Sequence, residues 1–223
     1  MKSNEENFLF VSHANQIRSF LNKTFGRDTF KKYIYNGAIL LLKIDQNFTT
    51  VELLYRGHDS STNYYTEKTF PKSKVRTKKV TSRPIKKNIC IYLVRHGISE
   101  HNIHPRTKEI LGKKDTVLTD RGKKEIQFSR NYLPVFSKLF ATSLLRSRQT
   151  VVELLKYKRE KPQVIHVLPN VKEIEKGFTS FLPNIPDEKN RNLPKTFVID
   201  WKLSKKSTNF IDAIIEISSS KIS

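Results

Sequence analysis

Two apolar runs in this chain each stop at a histidine. One reads Phe8-Leu9-Phe10-Val11-Ser12-His13-Ala14-Asn15, and the other, far downstream, reads Ile91-Tyr92-Leu93-Val94-Arg95-His96-Gly97. In α/β proteins, ligand sites collect at the C-terminal ends of parallel strands. Two strands that deliver their histidines to one sheet edge would build a single site, with Arg95 beside it. The net charge is +21, from 42 Lys and Arg against 21 Asp and Glu. That balance favours an anionic partner: nucleic acid, a phosphorylated ligand or an acidic membrane surface. A lysine-rich composition serving solubility gives the same number. No zinc-finger spacing or RNA-binding aromatic signature accompanies the charge.

The elements that must position these residues follow from hydrophobic pattern and punctuation. Residues 8–12 read as a buried strand. Ala14 to Phe25 carry Ile17, Phe20, Leu21 and Phe25 at helical spacing, with Gly26 as a stop. Asn36 to Ile44 and Thr49 to Tyr55 read as strands joined by a polar turn. From His58 to Asn88 the pattern dissolves: nine Lys or Arg stand against two acids, with Pro71 and Pro84. This stretch reads as a basic linker or extended loop. Ile89 to Val94 is the next strand. A helix is expected from Thr119 or Asp120 to about Phe136, a short strand over Leu139 to Thr142, a helix from Leu144 to Tyr157 and a strand over Val164 to Leu168. Residues 178–205 read as proline-rich and irregular, and Phe210 to Ile217 as a final amphipathic helix. Strands alternating with helices predict a mostly parallel sheet covered on both faces.

The 223 residues suffice for one α/β domain, although the hydrophobic fraction, 37 %, is low. Cys90 is the single cysteine, so no disulfide framework can form within the chain. A reducing, cytoplasmic setting is the expectation. No apolar stretch approaches a membrane span, and Met1-Lys2-Ser3-Asn4-Glu5-Glu6 makes a poor signal peptide.

Four segments follow one another in order. The first is Arg95-His96-Gly97-Ile98-Ser99-Glu100-His101-Asn102. The second is Asp115-Thr116-Val117-Leu118-Thr119-Asp120-Arg121-Gly122. The third is Ala141-Thr142-Ser143-Leu144-Leu145-Arg146-Ser147-Arg148-Gln149-Thr150, and the fourth Val171-Lys172-Glu173-Ile174-Glu175-Lys176-Gly177. Across residues 89–177 this succession resembles the histidine phosphatase superfamily, also called phosphoglycerate-mutase-like. In that family a last strand ending in Ser-His-Gly lies near the C-terminus. Here Val11-Ser12-His13-Ala14 resembles it but opens the chain, with Ala14 in place of the family glycine. Asn36-Gly37-Ala38-Ile39-Leu40-Leu41 resembles the family's closing strand.

The resemblance implies a three-layer αβα sandwich, phosphoglycerate-mutase-like, in circularly permuted order. Residues 1–57 would be the usual C-terminal part, 58–88 a basic linker and 89–223 the usual N-terminal part, together one domain. A connector of this length could stretch roughly 100 Å, and exposed loops tolerate new chain ends. By this reading the chain stops at Ser223 where the family would enter its last histidine strand, and both termini fall on one side of the domain. The rival is a domain swap between two chains.

The chemistry implied by the resemblance is phosphoryl transfer. His96 would be the nucleophile, and neighbouring cations would keep it neutral and able to attack. Arg95 and Arg146 would clamp the phosphoryl oxygens. His13 would donate a further hydrogen bond, and Asn102 would lie beside the phosphate. Glu173 would protonate the leaving oxygen and then help activate water; Glu175, two residues on, is the competing carboxylate. No cofactor or metal is called for. The expected activity is hydrolysis of phosphate monoesters. The alternatives are a mutase-type phosphotransferase and a non-catalytic phospho-ligand or polyanion-binding protein of the same fold. The expected partner is a small phosphorylated substrate or a phosphoprotein, with weak nucleic-acid association through the linker and no membrane. His101, His104 and Arg106 read as substrate-side or plain loop residues. His58 and His166 read as structural, and Arg148 as an ordinary surface residue on its helix.

Overall fold

The computed structural model describes residues 5–26, 34–44, 49–58, 74–77, 88–103, 115–157, 163–168, 194 and 196–200. The strands are β1 (Glu5–Ser12), β2 (Ile39–Ile44), β3 (Thr49–Tyr55), β4 (Lys74–Thr77), β5 (Asn88–Arg95), β6 (Lys138–Ala141), β7 (Gln163–Val167) and β8 (Phe197–Asp200). The helices are α1 (Ala14–Phe25), α2 (Glu100–Ile103), α3 (Asp120–Ser129) and α4 (Leu145–Leu155), with a 3-10 turn at Arg130–Tyr132.

The eight strands among the described residues form one sheet in the order β4-β3-β2-β5-β1-β6-β7-β8. From β5 to β8 every pairing is parallel; β2, β3 and β4 add on antiparallel at one side. The chain's first strand therefore sits in the middle of the sheet, between two strands that follow it by more than 75 residues. Its composition explains the position. Phe8 and Phe10 enter one core cluster and Leu9 and Val11 the other, so β1 is apolar on both faces. Only a strand covered on both sides can bury such a run.

The first cluster packs Phe8, Phe10, Leu40, Leu42, Ile91 and Leu93 against Ile17, Leu21 and Phe25 of α1. The second packs Leu9, Val11, Ile39, Val94 and Leu139 against Ile126 of α3 and Val151, Val152, Leu154 and Leu155 of α4. Helices thus cover both sheet faces, giving the three-layer αβα architecture expected from the sequence.

Several elements differ from expectation, and β2 begins at Ile39 instead of Asn36. Helix α3 ends at Ser129, short of Phe136, because Pro134 follows Leu133. The proline ring disfavours helical backbone in the residue before it, and Leu133 is extended at φ −110 and ψ 132. Within the segment read as a patternless connector, Lys74–Thr77 pairs with β3 as the edge strand β4. Within the stretch read as irregular, Phe197–Asp200 pairs with β7 as β8. The expected helix at 210–217 and both chain termini lie outside the described residues.

Candidate active site

The site is built where three adjacent parallel strands end. Ser12 on β1 pairs with Arg95 on β5, and Val11 pairs with both Val94 and Ala141. One residue beyond each strand, the chain delivers His13, His96 and Thr142. The exits are tied together by backbone: the His96 N–H donates to Ser12 O at 2.9 Å and the Thr142 N–H to Val11 O at 3.3 Å. His13, His96 and Thr142 are all buried. The two imidazole rings stand 5.0 Å apart, edge to face.

His96 is held in one protonation pattern. Its Nδ1 lies 2.7 Å from the carbonyl oxygen of Gly97, and its Nε2 lies 3.4 Å from Nε of Arg146. A carbonyl can only accept and a guanidinium can only donate. Both contacts are hydrogen bonds only if the proton sits on Nδ1, which leaves the Nε2 lone pair directed at the Arg146 guanidinium. Burial pushes the His96 pKa well below the ordinary value of 6.5, and the charges of Arg146, His13 and Arg95 push the same way; the Gly97 hydrogen bond opposes them. His13 is lowered likewise by burial, then by Arg146, Arg95 and His101. Both rings are therefore neutral at neutral pH.

Arg146 is fully buried in the first turn of α4. The loop before α3 anchors that turn: Asp115 accepts from the Leu145 N–H at 2.9 Å, and Gln149 accepts from the Leu118 N–H at 2.8 Å. A carboxylate at a helix N-terminus meets both its unpaired N–H groups and its positive dipole end. Thr150 then fastens α4 to the histidine loop, accepting from the Gly97 N–H at 3.0 Å and donating to Arg146 O at 2.8 Å. The same loop rests on α3, where a Cβ on Gly122 would come within 2.1 Å of Ile98 O. Glycine is required at that approach.

Arg95 is 5 % exposed, and its Nη1 donates to Ile34 O at 2.7 Å. Asn102 accepts at Oδ1 from the Ser99 N–H, the Ser99 hydroxyl and Asn36 Nδ2, at 3.0, 3.0 and 3.2 Å. His13, His96, Arg95, Arg146 and Asn102 thus gather around one end of the sheet. Glu173 and Glu175 lie outside the described residues, as do His104 and Arg106. His101, on α2, is near enough to His13 to disfavour its protonation.

Ala14 stands where the resemblance called for glycine. It is the first residue of α1, a helical position that any residue adopts without backbone strain.

Arg148 is not the surface residue that the sequence suggested. It is fully buried. Burial pushes its pKa down to about 10, with Asp115 partly opposing. Most of α4 is enclosed, because it lies in the second core cluster against the sheet and α3. His58 meets the hydroxyl of Tyr55 and donates its backbone N–H to Asn36 O at 2.7 Å, and His166 pairs with Asp200 at 3.1 Å.

Sequence reasoning passed over Thr142, whose Oγ1 is 3.0 Å from Nε2 of His13 and donates to Ser147 Oγ at 2.7 Å. The signal was present. Like the two histidines, Thr142 follows an apolar strand directly.

Among the described residues, no group of three or more His, Cys, Asp or Glu is placed to hold a metal ion. No helix among them is long and apolar enough to cross a membrane.

What the arrangement can do is bind a compact anion with fixed donors while offering one imidazole lone pair. The family model of the histidine phosphatase superfamily, branch 1, matches residues 91–205. The chain belongs to that superfamily, which includes phosphatases and mutases. No curated protein and no solved structure matches it. The matched range takes in Arg95, His96, Asn102, Arg146 and Glu173, whereas β1 and His13 lie before it.

Proposed function

We propose that this histidine phosphatase superfamily member hydrolyses phosphate monoesters through a phosphohistidine on His96. The observation that carries the reading is the fixed lone pair. His96 Nδ1 contacts the Gly97 carbonyl, Nε2 faces the Arg146 guanidinium, and burial among cations keeps the ring neutral. A neutral imidazole can attack phosphorus; an imidazolium cannot.

The roles are those that the family resemblance implies. Nε2 of His96 attacks the phosphorus, and the ester oxygen leaves as the P–N bond forms. Arg146 and Arg95 neutralise the equatorial oxygens, where preorganised donors act most strongly. Asn102 adds a hydrogen bond, and His13 adds one when its Nε2 proton turns from Thr142 Oγ1 to a phosphoryl oxygen. Glu173 gives its proton to the departing oxygen and then takes one from the water that cleaves the P–N bond. Buried, fixed groups need little reorganisation, which is the chief contribution a protein makes to phosphoryl transfer.

The chain order we read as a circular permutation. Two observations support it. β1 pairs within the same chain between β5 and β6, and β1 lies outside the range matched by the family. Residues 1–57 then act as the usual C-terminal part, 58–88 as linker and 89–223 as the usual N-terminal part.

The substrate is a small phosphate ester or a phosphoprotein. The linker's cations give only weak, salt-sensitive nucleic-acid association in a cytoplasmic protein. Neutralising Lys72, Lys74, Arg76, Lys78 and Lys79 leaves hydrolysis of small esters intact. Tight nucleic-acid binding at physiological salt, lost on that change, would favour a binding protein instead. The direct test is hydrolysis of para-nitrophenyl phosphate in the presence of a chelator, with His96→Ala as control. Full activity in the variant, or strict dependence on a divalent ion, overturns the mechanism.

A further inference from the structure

Asn36 is buried at 2 % exposure, 60 residues before the histidine loop that it touches. Its side-chain nitrogen lies 3.1 Å from His96 O, 3.3 Å from Gly97 O and 3.2 Å from Oδ1 of Asn102. All three are oxygens that accept. A side chain with at least two protons on one nitrogen serves such a cluster; a hydroxyl brings one proton and a carboxylate none.

The backbone around Asn36 is fixed for this task. Its carbonyl accepts from the His58 N–H at 2.7 Å. A Cβ on Gly57, which has φ +80, would come within 2.3 Å of that same carbonyl oxygen. The next residue, Gly37, donates its N–H toward Arg95 O and His96 O at 3.1 and 3.3 Å. The turn is thereby strapped to the exit of β5 from both sides.

The consequence falls on Asn102. Its oxygen receives three donors, from the backbone and hydroxyl of Ser99 and from Asn36. An amide whose oxygen is so held cannot rotate by half a turn without placing its NH2 against those donors. Its Nδ2 is then the end left for a ligand, and among the described residues it meets no acceptor.

We infer that Asn36 is a positioning residue of the phosphate pocket: it holds the Asn102 amide with oxygen inward, so that the NH2 of Asn102 donates to a phosphoryl oxygen. This rests on reading the pocket as a phosphoryl site. It assigns to the segment outside the family match a second contribution besides His13.

The test uses the full chain, with inorganic phosphate as the probe. Phosphate affinity is measured for the wild type, Asn36→Leu, Asn36→Asp, Asn102→Ala and the double variants, at pH 8 and at pH 5. Side-chain amide signals of Asn102 are followed by NMR without phosphate. Asn36→Leu should weaken binding about tenfold, the scale of one lost buried donor. It should cost nothing further when Asn102 is already alanine. Asn36→Asp should be as weak at pH 8 but regain affinity relative to wild type at pH 5, because a carboxyl among three oxygens binds a proton readily and recovers one donor. The Asn102 amide signals should move in both variants. Equal losses from Asn36→Leu in the two backgrounds, or unmoved Asn102 signals, would overturn the inference. If Asn36→Leu does not fold, Asn36→Asp carries the same comparison. If the wild type binds no phosphate, the pocket reading fails, and the Asn102 signals alone decide the role of Asn36.

Discussion

Nε of Arg146 and Nε2 of His96 face each other at 3.4 Å inside the protein. The guanidinium stands where it meets the imidazole lone pair now and would meet phosphoryl oxygens once a substrate intervenes. Because the Arg146 charge is one of the causes depressing the His96 pKa, after burial, removing it makes protonation easier. In Arg146→Gln the His96 titration should move up toward 6.5 without reaching it, since burial remains. Histidine proton NMR reads this directly. Turnover should fall about a hundredfold or more, as for the loss of one transition-state donor. An unmoved or lowered His96 titration contradicts the electrostatic account.

Stability should depend on pH in one direction. His13, His96, His58 and His166 are all lowered from 6.5, burial being the largest cause for each. Below 6.5 the unfolded chain binds protons that the folded protein refuses, so stability is full above that value and falls as the pH drops through it. The urea midpoint should decrease between pH 7.5 and pH 5. The decrease should be smaller in His13→Gln. A midpoint that rises on acidification contradicts the burial of these rings as neutral groups.

The strands at the centre were legible because their chemistry is local: an apolar run followed by histidine, twice. The pairing of Ser12 with Arg95 followed once both histidines had to reach one small anion. Other features depend on neighbours that the sequence does not name. Arg148 looks like a surface residue on a helical wheel, yet α4 is enclosed between sheet and α3, so it is buried. β4 and β8 are four-residue strands in charged or proline-bearing surroundings, and only their pairing partners reveal them. The role of Asn36 needs a contact across 66 residues to Asn102, with no periodicity to announce it.

The carboxylate can be assigned by leaving group. Glu173→Gln should slow turnover most for esters whose alcohols are poor leaving groups, because a departing oxygen that is already a stable anion needs no proton. Glu175→Gln should change little. Steady-state rates across a series of phenyl and alkyl phosphates read the difference. The reverse ranking of the two variants would assign the role to Glu175.

The most direct measurement is chemical trapping of the phosphorylated protein. After mixing with a phosphate ester and quenching with base and denaturant, phosphate should remain on the protein. It should be lost in acid, as expected of a phosphoramidate, and should map to the peptide containing His96. It should be absent in His96→Ala. Phosphate that is acid-stable, mapped to another residue, or retained in His96→Ala would contradict the assignment of His96 as the nucleophile.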